Sequence, residues 1–129
     1  MVFYIILQGA VTVLLSGNRV SPSQLSSESP RYVTLDGRIP ENLDDNWEFP
    51  VVGWLSQNWN TLFPSLEVPF SEETCSQIQQ YREKTHAKGQ RIRFWSIPQR
   101  EPFWNELIRC GVDLINSDEY VLTKDFLLS

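Results

Sequence analysis

The chain has 129 residues, 41% of them apolar, which is enough for one modest core and too little for two independent domains. Sixteen Asp and Glu against 11 Lys and Arg give a formal charge of −5, so the overall field repels phosphate backbones and anionic lipid, and nucleic-acid binding is set aside. Two cysteines and one histidine exclude a Cys/His zinc site and a disulfide framework, and they leave the compartment undecided.

Met1 to Leu15 is rich in Val, Ile and Leu, but no basic residue precedes the apolar stretch, Gln8 and Gly9 interrupt it, and no small-x-small cleavage site follows. It is also shorter than the eighteen or more apolar residues of a membrane helix. The expectation is a soluble chain without leader or transmembrane segment. Val11 to Leu15 is a β-branched run ending in a Ser-Gly-Asn turn, the pattern of a strand buried on both faces, with Tyr4 to Leu7 as an extension or a separate piece. Ser21 to Pro30 has room for at most a short helix, and Arg31 to Leu35 is the second strand-like run.

Gly37 to Phe70 shows no sustained period and holds Pro40, Pro50, Pro64 and Pro69, so it reads as a long loop, which is unusual inside a compact domain. Trp47, Trp54 and Trp59, with Phe49 and Phe63, argue against disorder and for an ordered lid or wall. Ser71 is an N-cap followed by Glu72 and Glu73, and Gly89 sits where a left-handed cap is wanted, which predicts a helix over 72–88. Gln90 to Trp95 is a strand. Pro102 opens a helix whose apolar stripe is Phe103, Leu107 and Ile108 and which ends at Gly111. Val112 to Asn116 is the fourth strand, and a last helix carries Val121, Leu122, Phe126 and Leu127. The alternation of strands and helices is that of a parallel α/β sheet with about four strands and outer helices. No glycine-rich dinucleotide or P-loop motif follows any strand.

Six strings in order then carry a resemblance: Leu15 to Arg19, Leu35 to Arg38, Pro50 to Phe63 around Ser56 and Trp59, Arg91 to Pro98, Phe103 to Leu107, and Gly111 to Asp118. Together they resemble the carboxyl-terminal half of PLC-like phosphodiesterases, the TIM-barrel superfamily of glycerophosphodiester phosphodiesterases and phosphatidylinositol-specific phospholipases C, and within it the altered-inheritance-of-mitochondria-like subgroup. The resemblance implies a single partial barrel domain over 1–129, its strands being five to eight of a (β/α)8 barrel that needs about 250 residues when whole. It implies a phosphoric diester hydrolase-like function on a glycerophosphodiester or phosphoinositide-type lipid ester.

In such a family the catalytic histidines and the acidic ligands of a divalent metal, Mg or Ca, are expected in the amino-terminal half. This chain then supplies the substrate-side wall, carries no catalytic residue, binds no metal itself and is inactive in isolation. His86, near the end of the 72–88 helix, is given a surface or packing role. Barrel chemistry gathers at the carboxyl ends of strands. Arg19, Asp36, Arg38, Trp95 and Asn116 are therefore the substrate-binding candidates. By resemblance Trp95 is a substrate-facing aromatic and Asn116 a phosphate-bonding amide; Trp95 as a plug and Asn116 as a turn cap are the alternatives. Arg19 and Arg38 suit forked phosphate contacts. Strand alternation puts Arg93 on the face of Trp95, and Asp36, read as lying on the neighbouring strand, is its expected ion-pair partner. None of Asp44, Asp45, Glu48, Glu72 and Glu73 reads as a metal or acid/base site: Glu72 and Glu73 suit the helix end and Asp44-Asp45 lacks oxygen-ligand spacing, while Cys75 and Cys110 read as small packing residues, with a disulfide between them as the alternative.

Two other classes compete with the enzyme reading. One is a non-catalytic remnant or assembly module that forms a homo-oligomer or pairs with a chain supplying the complementing half-barrel. The other is a carbohydrate- or lipid-contacting surface built from the tryptophan-rich loop.

Overall fold

A computed structural model describes residues 11–129; the piece expected at Tyr4 to Leu7 and the leader question lie outside the described residues. Five strands, β1 (Val13–Leu15), β2 (Val33–Arg38), β3 (Val52–Asn58), β4 (Arg91–Trp95) and β5 (Leu114–Ile115), pair in chain order, each parallel to the next. The sheet is α/β and curls into half of a (β/α) barrel, with helices on its outer face.

One strand more than expected is present. β3 runs through what reads as a long loop, and the short helix α2 (Trp59–Leu62) follows it. Gly53 is the reason for the disguise. A Cβ there would stand 2.7 Å from Thr34 Oγ1 and 3.0 Å from Thr34 Cγ2, so the glycine lets β2 and β3 approach closely while breaking the apolar run.

The remaining helices follow local rules. The five-residue α1 (Pro22–Ser26) has a complete capping box from Ser21 and Gln24. In α3 (Glu72–His86) the Ser71 side chain accepts from Thr74 N–H, two glutamates occupy the first turn, and Gly89 follows at φ +70°. The helix α4 (Glu101–Arg109) holds Pro102 in its first turn, and α5 (Tyr120–Leu128) closes the chain.

Strand parity separates two environments. The helix-facing side buries Leu35, Leu55, Ile92 and Phe94 with Ile78, Phe103 and Leu107 of α3 and α4. Trp59, fully buried, centres this core: its ring lies 4.4 Å from Phe63, 5.1 Å from both Phe70 and Phe103, and 5.6 Å from Phe94. The four rings around it, at tilted and edge-on angles, are the contacts that the free indole would otherwise leave to water.

Cys75 and Cys110, expected as separate packing residues, form a disulfide that ties α3 to the end of α4. Both are buried on facing helices with Cα atoms 5.1 Å apart, a separation that a disulfide spans and that helix positions in sequence do not reveal.

Candidate functional site

The opposite side of the sheet is polar. Register places Arg38, Ser56 and Arg93 side by side on β2, β3 and β4, with Asp36 and Trp54 one step below them. Asp36 is fully buried. Its Oδ1 accepts from Ser56 Oγ at 2.7 Å, and its Oδ2 accepts from Ser16 Oγ at 2.8 Å. Oδ2 also faces Arg38 Nη1 at 3.2 Å and Arg93 Nη2 at 3.3 Å. A carboxylate with no exposure is costly unless every lone pair is served, and these donors serve them.

The expected Arg93–Asp36 pair is therefore present, with one correction: β2 and β4 are not neighbours, because β3 lies between them. The reach is made possible by Ser56, whose small side chain leaves the gap and fills its floor with a hydroxyl. Arg93 is further held by Asn116 Oδ1, which accepts from its Nη1 at 3.2 Å, and its guanidinium carbon lies 5.8 Å from the Trp54 ring centre. Arg38 Nη1 also donates to Ser56 Oγ at 3.3 Å.

Of the five sequence candidates, Asp36, Arg38 and Asn116 meet around Arg93. Arg19 stands at the margin. It donates to the Gly17 carbonyl at 3.1 Å; burial and then the charge of Arg38 hold its pKa below the usual arginine range, with Asp36 opposing. Trp95 ends β4 on the same face, 37% exposed, beside Asn58 in register. The next residue, Ser96, has φ +61°, a strained conformation for a residue with a Cβ and placed at the strand end where barrels put their chemistry. Ser56 and Trp54, not recognised as site residues from sequence, belong to β3, where the sequence reads as a loop.

Two arginines around one carboxylate leave the cluster cationic inside an acidic chain. A divalent metal does not fit it: Asp36 is the one carboxylate among the described strand residues on this face, its Oδ1 is occupied by the Ser56 hydroxyl, and its Oδ2 by the Ser16 hydroxyl and two guanidiniums whose positive charge repels a cation. No group of three or more His, Cys, Asp or Glu is arranged for a metal among the described residues. His86 lies at the other end of the strands, where its Nε2 is 2.9 Å from Asp113 Oδ1, while Asp113 Oδ2 accepts from Ile92 N–H at 2.8 Å. A cavity of about 210 Å³ opens on the helix-facing side, bounded by Arg19, Val20, Pro22, Leu35, Gly37 and Val52, and does not coincide with the cluster.

The fold and cluster define a parallel α/β half-barrel with a cationic inner face. In sequence, a 133-residue match covering 90% of this chain is 30% identical to altered inheritance of mitochondria protein 6 of Eremothecium gossypii. The match spans 34% of that relative's length, so this chain corresponds to about a third of it. No protein-family model matches the chain, and no solved structure matches it. Among the described residues no helix is long and apolar enough to cross a membrane.

Proposed function

We propose that the inner face of the sheet is the phosphate-facing wall of a PLC-like phosphodiesterase barrel acting on a glycerophosphodiester or phosphoinositide-type lipid ester, with the catalytic groups supplied from outside this chain. The observation that carries the reading is the convergence of Arg38 and Arg93 on one buried Asp36. Asp36 neutralises one guanidinium and orients both, leaving cationic donors beside Asn116 for a singly charged phosphodiester. The similarity to altered inheritance of mitochondria protein 6 echoes the subgroup that the sequence resemblance names and carries no information on the reaction.

General acid/base chemistry is not part of this chain's contribution. Its one histidine pairs with Asp113 away from the cluster, and the side chains that face Asp36 among the described residues are serine hydroxyls and guanidiniums. The chain's residues bind and orient; they move no proton.

The test is titration of the purified chain with glycerophosphocholine, followed by NMR of the arginine side chains and the Ser56 amide. Saturable shifts at Arg38, Arg93 and Ser56, lost in Arg38→Gln and Arg93→Gln, are expected. No shift at any of them overturns the wall assignment. Incubation of the same chain with bis-nitrophenyl phosphate and Mg²⁺, Ca²⁺ or Mn²⁺ is expected to yield no turnover; metal-dependent hydrolysis abolished by chelator overturns the division of labour.

A further inference from the structure

Arg19 stands outside the Asp36 cluster. Its backbone follows the left-handed turn at Gly17, φ +72°, and its Nη1 donates to the Gly17 carbonyl, but it forms no ion pair among the described residues. The guanidinium is half-buried beside the cavity of about 210 Å³ on the helix-facing side, where burial first and the charge of Arg38 second disfavour its charged form, against the pull of Asp36. An anion in the cavity would relieve that position, because an opposite charge within reach favours the charged form.

The rest of the lining decides which anion. Leu35 and Val52 are buried in the sheet and, with Val20 and Pro22, make the cavity apolar. Ser21 and Asn42 also border it, but their polar atoms are engaged within the fold: Ser21 Oγ accepts from Gln24 N–H in the α1 cap, while Asn42 Oδ1 accepts from Arg38 N–H at 2.7 Å and its Nδ2 donates to Asp45 Oδ2 at 2.8 Å. One fork of donors above an apolar floor suits a single carboxylate on a hydrocarbon chain; a sugar or polyol would leave buried hydroxyls unserved, and a dianionic phosphate would meet one cation. Size sets the length of the chain. A dry cavity of about 150 Å³ takes benzene, so one of about 210 Å³ holds roughly eight heavy atoms, the number in hexanoate.

We propose that this cavity binds a short-chain monocarboxylate of about six carbons, its carboxylate forked on Arg19 and its chain lying on Leu35 and Val52. Strand parity sets the site back to back with the cluster: Leu35 and Gly37 line the cavity, and Asp36 and Arg38 of the same strand face the other side. The site goes beyond the phosphate-wall reading and does not rest on it.

The experiment titrates the isotope-labelled chain with hexanoate, hexanol and acetate and follows the backbone amides by NMR. Saturable shifts at Val20, Leu35, Gly37 and Val52 are expected with hexanoate, at least tenfold tighter than with either hexanol or acetate. Arg19→Gln should bring hexanoate down to the affinity of hexanol, and Arg19→Lys should retain part of the difference. Val20→Trp, at a position 44% exposed where a larger side chain can lie over the cavity without disturbing the core, should abolish binding of all three. Arg93→Gln should leave the hexanoate shifts unchanged. No shift at the lining amides with any of the three compounds overturns the site. Hexanol binding as tightly as hexanoate, or hexanoate binding that survives Arg19→Gln intact, overturns the carboxylate assignment. Shifts centred on Ser56 and lost in Arg93→Gln give the anion to the inner cluster and overturn the proposal.

Discussion

Arg93 reaches Asp36 over an intervening strand: Nη2 lies 3.3 Å from Oδ2 although β3 separates β4 from β2. The contact requires a residue no larger than serine at position 56, and Ser56 Oγ donates to the other carboxylate oxygen at 2.7 Å. Three strands are thus tied at one point by side chains as well as by backbone pairing.

Asp36 and Arg93 should lose stability unequally. Asp36→Ala strands two guanidiniums and is expected to cost roughly 3 to 5 kcal/mol, as for a broken buried pair. Arg93→Met leaves Asp36 served by Arg38, Ser16 and Ser56, and Arg93 is itself partly exposed, so about 1 to 2 kcal/mol is expected once solvent screening is allowed for. Denaturant unfolding of both single variants and the double variant checks this; strict additivity would show that the two groups do not interact.

Much of this arrangement could be read from the amino acids. Ser71, Glu72 and Gly89 mark the ends of α3 because caps are local chemistry, and the shared face of Asp36, Arg93 and Trp95 follows from strand parity. β3 could not be read, since a strand whose inner side is Trp54, Ser56 and Asn58 and whose second residue is glycine has neither an apolar run nor a clean alternation. Its polarity is the signature of the curled sheet's inner face, which a sequence reader weighs only after knowing the sheet exists. The Cys75–Cys110 bond was hidden for a different reason: the distance between helix faces is set by the packing of Phe103 and Leu107 on the sheet, which is a tertiary quantity.

Reduction of that bond should destabilise the chain. A cross-link closing 35 residues removes about 4 kcal/mol of loop entropy from the unfolded state in the chain-entropy treatment. Thermal melts with and without dithiothreitol are expected to differ accordingly, and Cys75→Ala with Cys110→Ala should abolish the difference. Equal melting temperatures in both buffers would show that the bond contributes nothing to stability.

Glu106 is expected to contribute to the loss of stability in acid. Its carboxylate accepts from Arg109 Nε at 2.6 Å and from Phe70 N–H at 2.7 Å, and the Arg109 hydrogen bond, followed by the Phe70 contact and the Arg109 charge, holds its pKa below the ordinary glutamate value against a desolvation that raises it. A lowered folded-state pKa adds stability above the unfolded value and loses it as pH falls through the folded one. Wild-type chain should therefore lose melting temperature on acidification through and below the usual glutamate range, and Glu106→Gln should show a shallower fall. Parallel curves for the two proteins from neutral to acid pH would remove Glu106 from the account.

The approach of β2 to β3 makes the last prediction. A methyl at position 53 meets Thr34 at 2.7 Å from Oγ1 and 3.0 Å from Cγ2, and the threonine is buried, 3% exposed, near the start of β2. Gly53→Ala is expected to cost about 1 to 3 kcal/mol, the usual range for overpacking. The compensating change is Thr34→Ala, which removes both clashing atoms, so the double variant should recover most of the loss while the single Thr34→Ala costs little. Because a displaced β3 carries Ser56 with it, Gly53→Ala should also weaken the Asp36–Arg93 coupling measured in the double-mutant cycle, and Thr34→Ala should restore it. Loss of stability in Gly53→Ala without loss of that coupling would mean that the strand yields locally around Thr34 and that the inner cluster does not depend on how closely β2 and β3 pack.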